Sequence, residues 1–367
     1  MSEGVSSKTD TVTNTKWILK RRPQGAFDPE KDAGMVSEEM HMATSCGDDE
    51  IVIEVDTLSV DAFIRTMLDE EAYHGAIDLG KTIPALGYGK VVYSGKNANK
   101  KVGSTVQCMM GAQRFATVKA SDAFPKMDLP RMSSTASLGL LGVTTGFTAY
   151  AGIFYVCKPP KKGDTVVITA AAGAVGSVAV QLAKSTGARV IGIAGGPRKN
   201  QYLIDDLQLD GSVDYKDSTK TVAQQLEETC PNGIDFIYDN VGGQILDDML
   251  LKINPNARVV ICGAVSQYNS GKLNKGLVQG PSNYLKLAER GATMKGFNVM
   301  QYLHKLPFML FGMFWLNLRG KVTMNEHIET GIESFPKALN HLFTGASIGK
   351  CLVAVKSGNT TADKKKD

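Results

Sequence analysis

The sequence lacks the ligand clusters that metal chemistry needs. A catalytic zinc takes three protein ligands and a structural zinc four, usually in close Cys/His spacings. Here His41, His74, His304, His327 and His341 stand alone and no Cys-x-x-Cys occurs. No metal is expected, and metal-assisted alcohol oxidation is set aside. The cysteines, Cys46, Cys108, Cys157, Cys230, Cys262 and Cys351, show no framework spacing, which fits thiols kept reduced and points to a cytoplasmic protein. An excess of one charge is also missing. The 41 basic residues nearly balance the 37 acidic ones, for a net charge of +4. With no basic stripe interleaved with aromatics, a nucleic-acid partner is not expected.

Long hydrophobic runs are absent too. The stretch FMLFGMFWLNL at 308–318 falls well short of the roughly 20 residues that cross a bilayer. It predicts a buried or subunit-interface helix and no membrane span. Residues 1–15 are polar and contain Glu3 and Asp10, so they offer neither a secretory apolar core nor an acid-free transit peptide. They read as a flexible leader, and 357–367 as a flexible tail. There is no internal repeat and no low-complexity run.

What is present is enough apolar residue, 43% against 21% charged over 367 positions, to build more than one core. From about Trp17 to Leu140, short alternating runs such as IVIEVDTLSV (51–60) and GKVVYSG (89–95), broken by Gly and Pro, have strand texture. From Thr165 the rhythm changes. TVVIT (165–169), ARVIGIA (188–194), GIDFIY (233–238), ARVVICG (257–263) and ATMKGFNV (292–299), with a weaker GSVDY (211–215), are separated by helix-length segments. Strands apolar across their width that alternate with helices imply a parallel sheet covered on both faces. The expected fold is α/β, a doubly wound Rossmann sheet joined to a β-rich domain. CLVAV (351–355) reads as a last strand that returns to the first domain.

TVVIT is followed directly by AAAGAVGSVAVQLAK. Ala171, Gly173 and Gly176 occupy the spacing of the G-x-G-x-x-G fingerprint, with Ala at its first position. Gly173 lets the backbone approach a pyrophosphate, Gly176 permits close helix–strand packing, and the helix N-terminus supplies unpaired N–H groups. At the end of the next strand, the carboxylate that would bind a ribose 2′-hydroxyl is replaced by Gly195, Gly196, Pro197, Arg198 and Lys199. Two cations suit a 2′-phosphate, hence NADPH rather than NADH. The bland alternative, that they only decorate a helix start, puts positive charge where the helix dipole disfavours it.

GASIG (345–349) matches the G-x-S-x-G nucleophile elbow in letters only. An elbow needs a strand before it, a helix after it and a later histidine; a helix is expected before this segment, a strand after it, and no histidine follows Ser347. What remains is hydride transfer, in which a cofactor carries the chemistry.

VITAAAGAVGSVAVQLAK (167–184), IDFIYDNVGG (234–243), VVICGAVSQYN (259–269) and GFNV (296–299) resemble the prostaglandin reductase/leukotriene hydroxydehydrogenase family. Its bacterial curcumin-reductase and plant alkenal double-bond reductase members share the likeness, all of them zinc-independent medium-chain dehydrogenases/reductases. It extends to TKWILKRRPQG (15–25), LSVDAFIR (58–65), TTGFTAYAGI (144–153) and IGKCLVAV (348–355). The resemblance implies a GroES-like catalytic domain over 16–142, a Rossmann domain over 143–321 and a C-terminal return over 322–356. It implies a pyrophosphate turn at Gly173, Ala174, Val175 and Gly176, with Lys199, assisted by Arg198, and Tyr215 at the 2′-phosphate. Asn240 would line the groove, Cys262 to Tyr268 would follow the nicotinamide, and the backbone of Phe297–Val299 would close over it. The implied reaction is NADPH-dependent reduction of the C=C bond of α,β-unsaturated ketones and aldehydes. Tyr268 would then donate its hydroxyl to the developing enolate, directly or through the ribose, or else only pack on the cofactor. A homodimer through the Rossmann domain is expected as well.

The sequence departs from the family where Asp-Pro-Tyr-Met-Arg becomes Asp61-Ala62-Phe63-Ile64-Arg65 and where Ser347 replaces an Asn. Phe63 and Arg65 are the candidates for the substrate mouth, and the lost phenol leaves the substrate open. A quinone reductase and a non-catalytic NADPH-binding protein are the competing readings.

Overall fold

The computed structural model describes residues 11–72, 74–270 and 280–356. The tail expected at 357–367 and the first ten residues of the expected leader lie outside the described residues. The chain divides into two compact units.

The first unit, residues 1–126, 328–341 and 351–367, is β-rich. Its strands begin with β1 (Thr11–Leu19) and β2 (Ala33–His41), an antiparallel pair running from Thr11 opposite His41 to Leu19 opposite Ala33. Residues 11–15, expected in the leader, are therefore strand. Their polar TVTNT pattern hides this, because only Asn14 among them is buried. Next come β3 (Glu50–Ser59), β4 (Leu86–Ser94), β5 (Thr105–Met109), β6 (Phe115–Lys119) and β7 (Phe124–Pro125). β3 is the central strand. Ile51, Val52, Ile53, Val55 and Leu58 are almost fully buried on both its faces, as a strand flanked on each side requires.

The second unit, residues 127–327 and 342–350, carries β8 (Thr165–Thr169), β9 (Arg189–Ala194), β10 (Gly211–Asp214), β11 (Ile234–Asp239), β12 (Ile253–Ile261) and β13 (Thr293–Gly296). Among the described residues these form one parallel sheet in the order β10-β9-β8-β11-β12-β13. That is the doubly wound dinucleotide-binding order, with its switch point between β8 and β11. Val166, Ile168, Phe236, Tyr238 and Val260 meet one apolar layer; Val167, Ile191, Ile237 and Val259 meet the other. The unit begins earlier than the expected residue 143. Ala136, Leu140 and Leu141 pack into the same cluster as Phe147 and Val166, so burial assigns that segment to the Rossmann core.

The chain then forms β14 (Glu326–Thr330) and β15 (Lys350–Ala354), which extend the first unit's sheet in the order β14-β15-β3-β4-β5-β7, with β6 on β3. The C-terminal return is not continuous, since 342–350 belongs to the second unit. The apolar run becomes the helix Leu306–Leu318, which buries Met309 and Met313 but leaves Phe308 65% and Phe311 69% exposed.

One close approach organises the second sheet. A Cβ on Gly176 would lie 2.2 Å from the Ala170 carbonyl oxygen, so no side chain fits between helix Ala174–Ser185 and the end of β8. Gly176→Ala should cost about 2 kcal/mol or more through forced backbone movement. Calorimetry checks this, and a variant that melts with the parent would show that the junction yields freely.

Candidate dinucleotide site

The site lies within the second unit, at the carboxyl ends of its strands. Gly173 is the N-cap of helix Ala174–Ser185 and no side chain caps it. Ser177 N–H reaches the Gly173 carbonyl at 2.9 Å, while the N–H groups of Ala174, Val175 and Gly176 have no acceptor among the described residues. Three free donors at a helix N-terminus make an anion seat.

Side-chain bonds tie this turn to β11. Thr169 Oγ1 donates to Asp239 Oδ1 at 2.7 Å and accepts from Asn240 N–H at 2.7 Å, and the Asn240 amide donates to the Thr169 carbonyl at 2.7 Å. Asp239 also accepts from the N–H groups of Val241 and Gly242. Burial raises the Asp239 pKa, against these hydrogen bonds, which lower it. Asn240 thus sits in the crevice with its amide nitrogen already committed.

At the end of β9 the predicted basic residues gather. An ideal Cβ on Gly195 would come within 2.5 Å of the Tyr215 ring, so the phenol lies over the Gly195 backbone. Asp214 Oδ1 accepts from Gly196 N–H at 2.7 Å and from Lys216 N–H at 2.8 Å, which clips the end of β10 to the turn after β9. The ammonium groups of Lys199 and Lys216 lie 3.6 and 3.8 Å from the position a Cβ would take on Gly345. Burial first, then the positive charges of Lys216 and Arg198, lower the Lys199 pKa. No carboxylate pairs with any of the three cations among the described residues. Arg198 also faces a cleft of about 400 Å³ shared with Asn325, Glu326 and Ile348.

The segment 345–349 runs beside the glycine turn. Gly349 N–H donates to the Ala172 carbonyl at 2.9 Å, and Gly173 and Gly349 form a parallel bridge. Ser347 is buried within it, preceded by helix Phe335–Thr344 and followed by β15, the reverse of an elbow.

Beyond β12, Cys262 N–H bonds to the Asp239 carbonyl at 2.8 Å and Val265 N–H to that of Asn240 at 3.0 Å, which holds this loop against β11. The Tyr268 hydroxyl accepts from Ala264 N–H at 3.4 Å. Burial raises the Tyr268 pKa and that hydrogen bond lowers it. Phe297 sets its ring edge-on to Tyr238 and Tyr302, at 6.5 and 6.2 Å between centroids, and Val299 packs on the same core.

The substrate-mouth candidates lie in the first unit. Phe63 meets His74 edge-on at 5.2 Å. Arg65 is fully buried, bonded to Asp69 at 2.8 Å and to the Gly25 carbonyl; its charge is spent on the scaffold, so a substrate role needs those bonds to break. Sequence reasoning missed Asp214 and Lys216. Their only signal is position, at the last residue of a strand and beside Tyr215.

Residues 15–125 match the family model described as the N-terminal domain of oxidoreductase, and 174–309 the model described as zinc-binding dehydrogenase. The chain is 33% identical to the NADPH-dependent curcumin reductase of Escherichia coli, over 93% of this chain and 97% of that protein. It is 32% identical to the NADP⁺-dependent 2-alkenal reductase of Nicotiana tabacum, over 94% and 98%. The crystal structure of CurA from Vibrio vulnificus in complex with NADPH superposes with a TM-score of 0.84 at 30% identity, over 94% of this chain and all of that one.

If Asp214 positions the basic turn, Asp214→Ala should weaken adenosine 2′-monophosphate by about 1 kcal/mol, roughly fivefold. Adenosine 5′-monophosphate should change less. Equal losses in titration calorimetry would reduce Asp214 to a general stabiliser.

Proposed function

The chain belongs to the zinc-independent medium-chain dehydrogenases/reductases that include the curcumin and 2-alkenal reductases, and on that premise we propose that it reduces the C=C bond of α,β-unsaturated ketones and aldehydes with NADPH. The observation that carries the cofactor half is the pairing of an uncapped helix N-terminus with three uncompensated cations, Arg198, Lys199 and Lys216. The relatives' activities support the substrate half.

In this reading the N–H groups of Ala174, Val175 and Gly176 hold the pyrophosphate, Arg198 and Lys199 hold the 2′-phosphate, and Tyr215 flanks it. Asn240, Cys262, Phe297 and Val299 shape the groove. Bound NADPH supplies the hydride that reaches the β-carbon. Negative charge would then develop on the substrate carbonyl oxygen, the Tyr268 hydroxyl, which accepts from Ala264 N–H and so keeps its own proton free, would donate a hydrogen bond to it, and water would supply the proton taken up at the α-carbon. All six cysteines are free thiols, in keeping with a cytoplasmic, reducing setting.

Steady-state oxidation of NADPH with an alkenal, a cyclic enone and a quinone separates this reading from a quinone reductase and from a non-catalytic binder. The enal and enone should turn over fastest, and dialysis against a strong chelator should leave the rate unchanged. Tyr268→Phe should lower kcat and kcat/KM together, with little change in the Kd for NADPH, because the contact strengthens only in the transition state. A dry site makes that loss about a hundredfold or more, whereas water replacing the donor would shrink it toward tenfold. Retained kcat would mean that the ring only packs.

We also propose a homodimer formed through the second unit. No described strand pairs with the outer edge of β13, and Phe308, Phe311 and Trp315 are exposed on the helix that follows; an open edge and an apolar face favour a second copy. Light scattering should give twice the 39.4 kDa chain mass. A monomer at micromolar concentration would refute the assignment.

A further inference from the structure

We propose that Lys216 is a second ammonium ligand of the 2′-phosphate, so that the site selects NADPH over NADH by a two-lysine clamp closed on its third side by Gly345. The inference rests on the NADPH reading above.

Its basis is how the charges around Lys216 are spent. Two carboxylates lie within two residues of it, and neither takes its ammonium. Asp214 accepts from the backbone N–H groups of Gly196 and Lys216, and Asp217 accepts from the N–H and hydroxyl of Thr219, both at 2.7 Å. Other lysines of the same unit show the ordinary outcome. Lys220 pairs with Glu228 at 2.7 Å and Lys252 with Glu227 at 2.6 Å. Lys216 instead points its ammonium at the space beside Gly345 that the Lys199 ammonium also enters, 3.8 and 3.6 Å from one Cβ position.

Two like charges brought to one point repel, and the arrangement is stable only where solvent or a bound anion compensates. Lys199 is the partly buried member and Lys216 the exposed one, so the socket has a desolvated wall and a wet one. Gly345 completes it. With φ at +77° and no side chain, it leaves open the volume that both ammonium groups face. A phosphate monoester at neutral pH carries close to two charges and three acceptor oxygens, enough for two ammonium donors. A ribose 2′-hydroxyl offers neither, so a second cation adds discrimination and not general affinity.

The experiment is titration calorimetry on the full chain with adenosine 2′-monophosphate and 5′-monophosphate, comparing the parent with Lys199→Gln, Lys216→Gln and Lys216→Arg. Because Lys216 is exposed, its variants are expected to fold, which circular dichroism checks. Lys216→Gln should weaken the 2′-monophosphate about five- to tenfold, as befits a charge-assisted contact partly screened by solvent. It should leave the 5′-monophosphate within twofold, and Lys216→Arg should restore most of the loss. Raising the salt should weaken the parent more steeply than Lys216→Gln. If the parent prefers the 2′-monophosphate and Lys199→Gln loses that preference while Lys216→Gln keeps it, the clamp is overturned and the NADPH reading stands. If the parent itself binds both nucleotides equally, the NADPH reading fails and takes the clamp with it.

Discussion

The cofactor face of the second unit depends on one contact, the approach of helix Ala174–Ser185 to the end of β8 at Gly176. Only because the helix starts this close to the strand do its first N–H groups open into the crevice between β8 and β11. The N-cap residue, Gly173, has no side chain to cap the helix, so the donors stay free for a ligand. Thr169, the last residue of β8, then becomes a fixed point. Its hydroxyl bridges Asp239 and the Asn240 backbone, and through them the loop that carries Cys262 is hung from β11. The glycine turn and the loop that carries Cys262 are thereby built on one seam.

The acids and bases of this unit divide their work accordingly. Asp239 and Asp214 are spent on backbone N–H groups at strand ends, where they fix loop geometry and neutralise no side-chain cation. Lys199 and Lys216 are left with their ammonium groups beside one position at Gly345, and the charges of Lys216 and Arg198 lower the Lys199 pKa. This arrangement gives up stability in the empty protein, since like charges are held together and one of them is partly desolvated. It gains affinity for a ligand that brings the missing charge. A stability-optimised surface would have turned Asp214 or Asp217 toward Lys216, as Glu228 turns toward Lys220.

How much of this could be read from the chain follows from which residues are buried. The inner strands β8, β9 and β11 were legible because both their faces are covered, so they appear as largely apolar runs, whereas β10 and β13 are less buried. The glycine turn was legible because packing forces residue type at Gly176. The strand at 11–15 was not, since its residues are mostly exposed and its register is set by β2, more than 20 residues away. The domain boundary near 127 was missed because Ala136, Leu140 and Leu141 enter the Rossmann core without the periodicity of a strand or long helix. Lys216 was missed for the opposite reason. An exposed lysine after a strand has no local signature, and only the fold brings it beside Lys199.

The chemistry proposed for the site also constrains its cysteine. Activated alkenes are trapped by thiolates, and the thiolate, not the thiol, is the nucleophile. In the proposed reading Cys262 stands beside the nicotinamide, where a reactive sulfur would be alkylated by α,β-unsaturated carbonyl substrates. Burial pushes the Cys262 thiol up to about 12, with the hydrogen bond to Tyr238 lowering it and the Asp239 charge raising it further. A raised pKa makes the thiolate scarcer at neutral pH than in an unperturbed cysteine. Tyr268, whose pKa burial also raises, keeps its proton and can donate it in a hydrogen bond while its oxygen accepts from Ala264 N–H. In the proposed reaction the Tyr268 contact is a hydrogen bond to the developing enolate, and the proton taken up at the α-carbon comes from water.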